Sequence, residues 1–140
     1  MDYAHTPDAL DNVLSAARGI VPTGARLWCV FGCGGDRDSG KRPLMGAIAE
    51  KLADRVVVTS DNPRTEDPEA ILEDVRVGFR EPERVHWVVD RRAAIRLAVT
   101  SSGVGDVIVV AGKGPEPYQI IGTDRLPFLD EKVVRDAEAG

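Results

Sequence analysis

The stretch Asp61-Asn62-Pro63-Arg64 follows the apolar run Val56-Val57-Val58 and reads as a binding loop. Pro63 fixes its own φ and biases Asn62 toward extended backbone, so the Asn62 amide and the Arg64 guanidinium are presented from a stiffened chain. A guanidinium can grip a carboxylate or phosphate in two places. Taken alone, the same residues would serve equally as a cap and turn with Arg64 in solvent. Two further loops carry related chemistry. Gly32-Cys33-Gly34-Gly35 allows a sharp turn that aims Arg37. Gly112-Lys113-Gly114-Pro115-Glu116-Pro117 holds Glu116 between two prolines, which restricts its carboxylate, although two glycines by themselves make an ordinary turn. Guanidinium groups with one fixed carboxylate suit a zwitterion, the arginines on its carboxylates and Glu116 on its ammonium.

Other chemistry is less well supported. Gly35-Asp36-Arg37-Asp38-Ser39-Gly40-Lys41-Arg42 follows the phosphate-cradling P-loop pattern until its last position, where Arg42 stands in place of the hydroxyl that would hold magnesium. Two aspartates inside that loop would also repel a triphosphate. The two histidines, His5 and His86, have no serine, cysteine or carboxylate arrangement that would make a relay. Cys29 and Cys33 lie too far apart along an extended backbone for a disulfide and read as free thiols in a reducing cytosol. The scattered charge, 23 acidic against 18 basic residues with a net of -5, gives no basic field for nucleic acid. No apolar run would cross a bilayer and no signal peptide is seen, so a soluble, cytoplasmic protein without a membrane partner is expected.

The elements that must position these loops alternate. Thr6 and Pro7 start a helix that carries Leu10, Val13, Leu14 and Ala17 and that Gly19 can close. Leu27 to Phe31 is a strand that opens into the first glycine loop. A helix from about Pro43 to Ala53, with Met45, Ile48 and Leu52 on one face, leads to the strand Arg55 to Thr59. Asp67 and Pro68 start a third helix, with Ile71, Leu72, Val75 and Phe79 inward. Val85 to Val89 is the next strand, and Asp90 begins a helix with Ala94, Ile95, Ala98 and Val99 on its apolar side. Asp106 to Ala111 is the fourth strand. A hairpin about Gly122 to Arg125 and a short acidic helix from Asp130 follow. The expected fold is α/β and Rossmann-like, a mainly parallel sheet with helices on both faces and a C-terminal hairpin. At 140 residues and 43% hydrophobic, one domain over residues 1–140 is expected. Loops 32–40, 59–66 and 112–117 all follow strands and should leave one edge of the sheet.

Four motifs in order resemble the Mur ligase family, specifically the last domain of members that add meso-diaminopimelate. They are Asp2-Tyr3-Ala4-His5-Thr6-Pro7-Asp8-Ala9-Leu10, Phe31 to Asp38 with Gly40-Lys41-Arg42-Pro43, Asp61-Asn62-Pro63-Arg64, and Gly112-Lys113-Gly114 with Glu116 and Gln119. The resemblance covers nearly the whole chain. It implies an ATP-dependent ligase of three domains acting on UDP-N-acetylmuramoyl-L-alanyl-D-glutamate in peptidoglycan precursor synthesis. ATP and Mg2+ would be bound mainly by a central domain, and this last domain would deliver the amino acid. ATP would phosphorylate a substrate carboxylate, and the incoming amine would displace the phosphate. By position, Arg37, Asp61, Asn62 and Arg64 would bind the diaminopimelate carboxylate side, while the Gly112 carbonyl and Glu116 would hold the distal ammonium. The Asp-Asn-Pro-Arg sequence is the family's marker for diaminopimelate over lysine. Asp2 and His5 would touch the nucleotide from a linker remnant, residues 1–7. Pro115 stands where the family frequently has histidine. The resemblance also implies that this chain alone would not catalyse ligation. The rival readings are a stand-alone α/β binding module and a Mur-type domain for another amino acid.

Overall fold

The computed structural model describes residues 7–33, 40–60, 67–111 and 118–122. Its elements run α1 (Pro7–Arg18), β1 (Leu27–Cys33), α2 (Lys41–Leu52), β2 (Arg55–Ser60), α3 (Pro68–Arg76), a 3-10 turn (Pro82–Arg84), β3 (His86–Trp87), α4 (Arg91–Ser101), β4 (Val107–Ala111) and β5 (Tyr118–Gly122). The sheet order is β3-β2-β1-β4-β5. β1 pairs in parallel with β2 and β4, β2 pairs in parallel with β3, and β5 runs antiparallel to β4. The α/β class, the mainly parallel sheet and the helices on both faces are as the sequence implies.

The middles of β1, β2 and β4 are runs of apolar residues because both faces of the sheet are covered there. Alternate residues separate into two cores. Leu27, Cys29 and Phe31 of β1, Val56 and Val58 of β2 and Val107 and Val109 of β4 pack with α1, α2 and α3. Trp28, Val30, Val57, Ile108 and Val110 pack on the other face against Ala94, Ile95 and Ala98 of α4. This is the two-residue period of a strand read by two helix layers. Burial pushes the Cys29 thiol far above its ordinary range, so it is an inert core residue.

The helix boundaries follow local chemistry. Asp67 caps α3 by accepting from the Glu69 N–H, with Pro68 in the first turn, and Asp90 caps α4 by accepting from the Arg92 N–H at 3.2 Å. α1 ends at Arg18 as expected, but Gly19 is not left-handed. The chain leaves through tight turns, Gly19 N to Ala16 O and Ile20 N to Ala17 O, and the positive-φ glycines among the described residues are Gly24 and Gly105. The Thr6 cap lies outside the described residues.

Several boundaries differ from expectation. α2 starts at Lys41, two residues before Pro43. Proline is tolerated there because a first-turn N–H has no partner inside the helix. The buried face of α2 is Arg42, Met45, Gly46 and Ala49, with Ile48 and Leu52 at its margin. β3 is only His86–Trp87, with His86 exposed. Phe79 is buried, but beyond the end of α3, where its ring meets Trp87 edge to face at 5.4 Å. β1 continues through Gly32 and Cys33, paired with Thr59 and Ser60. The antiparallel pair among the described residues is β4 with β5, with Ala111 opposite Tyr118. The expected turn at 122–125 begins at the last residue of β5, and its remainder, like the helix from Asp130, lies outside the described residues.

Candidate functional site at the carboxyl edge of the sheet

β2, β1 and β4 are neighbours and run the same way, so their last residues, Ser60, Cys33 and Ala111, finish on one edge. The connections after β1 and β4 belong to opposite halves of the sheet. β1 leads through α2 to β2 on one side, while β4 on the other side is reached from β3 by α4 across the opposite face. That reversal is a topological switch point, and open α/β sheets usually take their ligands at the carboxyl ends of the strands there.

All eight residues expected to bind ligands, namely Arg37, Asp61, Asn62, Arg64, Gly112, Glu116, Asp2 and His5, lie outside the described residues. What the fold brings together is the three strand ends that immediately precede the glycine loop, the Asp-Asn-Pro-Arg loop and the Glu116 loop. Cys33 and Ser60 are direct partners across β1 and β2, and Val30 pairs with Val110 one residue before β4 ends.

The described residues add groups to this edge that were not among the expected ligand contacts. Helices α2, α3 and α4 all begin beside it, turning their positive ends toward any anion held there. Arg42, in the first turn of α2, is only 2% exposed and donates from Nη1 to Asp74 Oδ2 at 2.7 Å. Arg91, the first residue of α4, donates from Nη1 to the Ala111 carbonyl at 3.3 Å. Thr59 is fully buried, and its hydroxyl donates to the Val89 carbonyl at 3.0 Å. Arg42 had a signal in the sequence. It stands three, four and seven residues before Met45, Gly46 and Ala49, on the inward stripe of the helix. Arg91 had none beyond its place after a capping aspartate.

The opposite edge is closed by carboxylates with structural roles. Asp106 accepts from the Arg26 and Gly103 N–H groups and from the Trp28 indole, each at 2.9 Å. Asp54 accepts from the Leu27 N–H at 2.8 Å and from Arg18 at 3.0 Å. Burial raises both carboxyls, but these donors and the nearby arginine charges outweigh it, and both lie below the ordinary 3.8. Grooves of about 510 and 230 Å3 lie toward this side, around Glu50. Its two oxygens are taken by the Arg80 and Glu81 N–H groups, so it organises a turn. Among the described residues no cluster of His, Cys, Asp or Glu could hold a metal ion, and no helix is long and apolar enough to cross a membrane.

Residues 1–114 match the family described as Mur ligase, glutamate ligase domain. The chain is 58% identical over 137 residues to a UDP-N-acetylmuramoyl-L-alanyl-D-glutamate–2,6-diaminopimelate ligase of Chromobacterium violaceum, covering 98% of this chain and 28% of that protein. It is 55% identical over 139 residues to the protein of the same name from Thermosynechococcus vestitus, covering 98% of this chain and 27% of the relative. A solved structure of a ligase of that name superposes with a TM-score of 0.79 at 51% identity, covering 96% of this chain and 28% of that one. The chain thus spans little more than a quarter of the proteins it resembles.

Proposed function

Because the chain belongs to the Mur ligase family, we propose that it is the amino-acid-binding, C-terminal domain of an ATP-dependent amide-bond-forming ligase. The substrates would be meso-diaminopimelate and UDP-N-acetylmuramoyl-L-alanyl-D-glutamate, and the product a peptidoglycan precursor. The observation that carries this reading is the convergence of β2, β1 and β4 on one edge, directly before the three motif loops.

In this reading Arg37, Asn62 and Arg64, with Asp61 in the same motif, receive the carboxylate side of diaminopimelate. The Gly112 carbonyl and Glu116 receive its distal ammonium. Charge-assisted contacts at both ends would fix the orientation of the amine that attacks, and helix N-termini at the edge would add to the pull on the carboxylates. Lysine lacks the second carboxylate that Arg64 would neutralise. In the family's division of labour ATP and Mg2+ would be held mainly by a central domain, with Asp2 and His5 as nucleotide contacts from the linker, residues 1–7. The work assigned to residues 7–140 is to bind, select and orient the amino acid. Such a protein works in the cytoplasm, where nucleotide-linked precursors and ATP are available.

The test is amide formation by the full-length protein, followed by product mass, with meso-diaminopimelate and lysine offered in parallel. Diaminopimelate-dependent product is expected. Equal use of lysine, or no amino-acid-dependent product, would sink the assignment. The 140-residue chain by itself is expected to neither hydrolyse ATP nor form product.

A further inference from the structure

The segment Val89-Asp90-Arg91 touches the ends of two strands that are not neighbours. At one side the buried Thr59 hydroxyl donates to the Val89 carbonyl at 3.0 Å, and the Val88 N–H donates to the Val58 carbonyl at 2.9 Å, so the segment is tied to the last turn of β2. At the other side Arg91 Nη1 donates to the carbonyl of Ala111, the final residue of β4. Between the two ties, Asp90 caps α4 by accepting from the Arg92 N–H, which fixes the backbone from which Arg91 reaches. β1 lies between β2 and β4, so the two stems stand roughly 10 Å apart at the usual strand spacing. A small molecule gripped at both ends spans a gap of that order.

We propose that Thr59 and Arg91 are positioning residues, forming with residues 89–91 a strap that sets the separation between the loop after β2 and the loop after β4. The strap thereby sets the length of amino acid the domain accepts. This rests on the functional reading above, in which the first loop takes carboxylates and the second an ammonium. The two stems are also related through β1, which pairs with β4 as far as Val30 and Val110. A guanidinium on the Ala111 carbonyl and a hydroxyl on the Val89 carbonyl hold the stems at the point where the loops leave. Neither group need touch the ligand to tune its fit.

The test uses the full-length protein and the variants T59V, T59S, R91A and R91K. For the preferred amino acid and its homologues one methylene shorter and longer, kcat/KM is measured, together with KM for ATP and for the nucleotide substrate. One methylene in a fitted site is worth about 10–200-fold. T59V and R91A are expected to raise KM for the preferred amino acid about tenfold and to cut its advantage over the homologues by a similar factor. KM for ATP and for the nucleotide substrate should not change. T59S and R91K should recover part of the discrimination, since each keeps a donor. A role in stability alone would lower kcat through the active fraction and leave the ratio between homologues unchanged. That outcome in both T59V and R91A, or in the partial variants where those fail to fold, overturns the strap. If the wild-type protein rejects diaminopimelate, the functional reading fails instead, and the strap is judged by the same ratio on the amino acid it does accept.

Discussion

The Trp28 indole N–H donates to Asp106 Oδ2 at 2.9 Å, joining side chains 78 positions apart at the edge where β1 and β4 begin. Asp106 is 6% exposed and also accepts the Gly103 and Arg26 N–H groups. Asp54 does the same on the other flank of β1, through the Leu27 N–H and Arg18. Both carboxyls lie below 3.8 in the fold, so the folded state binds these protons less readily than the unfolded chain. Their stabilising contribution is complete above that ordinary value and is lost as pH falls through the folded values. Urea unfolding between pH 7 and pH 2.5 should show stability dropping below about pH 4. D106N leaves at least one buried donor without an acceptor. It should cost about 1–3 kcal/mol at pH 7 and flatten the acid limb. An acid limb as steep as the wild type's would remove Asp106 from this account.

Close backbone approach makes a second prediction. A Cβ on Gly78 would run into the Pro43 backbone, and one on Gly46 would fall 2.7 Å from the Phe79 ring and 2.8 Å from the Val75 carbonyl. The turn after α3 therefore lies against the first turn of α2 with no room for a methyl group. G78A and G46A should each lose about 1–3 kcal/mol by overpacking. G103A, whose Cβ would meet nothing within 4 Å, should stay within about 0.5 kcal/mol of wild type. Thermal melts of the three variants decide it.

The Arg42–Asp74 pair is asymmetric, with the arginine side chain 2% exposed and the aspartate 49%. The buried partner should matter more. D74N keeps an oxygen that can accept from Arg42 but removes the charge facing a buried guanidinium, and should cost about 1–3 kcal/mol. R42A removes a buried guanidinium together with the packing of its stem, and should cost about 2–4 kcal/mol. Equal losses in denaturant titrations would mean that the burial of Arg42 has no energetic weight.

For the proposed site, R64A in the full-length protein should raise KM for diaminopimelate far more than KM for ATP. A desolvated charge-assisted pair is worth roughly 2–5 kcal/mol. The same change should narrow the preference over lysine. A uniform loss across all substrates would make Arg64 a structural residue.

The features that were legible in the sequence are those set by local chemistry. Asp67-Pro68 and Asp90 announce helix starts because a carboxylate capping the first turn needs no distant partner. Runs such as Val56-Val57-Val58 announce strands buried on both faces. What escaped depends on contacts made across the chain. β3 is cut to His86–Trp87 because the chain is in register with β2 for only two residues, although Val85 to Val89 reads as one strand. The inward stripe of α2 is narrow, Gly46 and Ala49 beside Arg42, because α3 and Phe79 lie so close, and no pattern of large apolar residues could display that. At the candidate site, strand alternation was enough to foretell the common edge on which β1, β2 and β4 end, while the three loops that follow lie outside the described residues. Arg91 was not legible, because its link to Ala111 exists only once α4 has crossed the sheet.

The strand order also bears on how the chain is made. β1, the middle strand, pairs with β2 soon after it in the sequence but acquires its other neighbour, β4, only with residues 107–111. A nascent chain emerging from the ribosome would hold β1 with one side unpaired through some seventy positions of synthesis. Chains halted at Gly105 should therefore self-associate, and supplying residues 106–122 as a peptide should suppress the light scattering they produce.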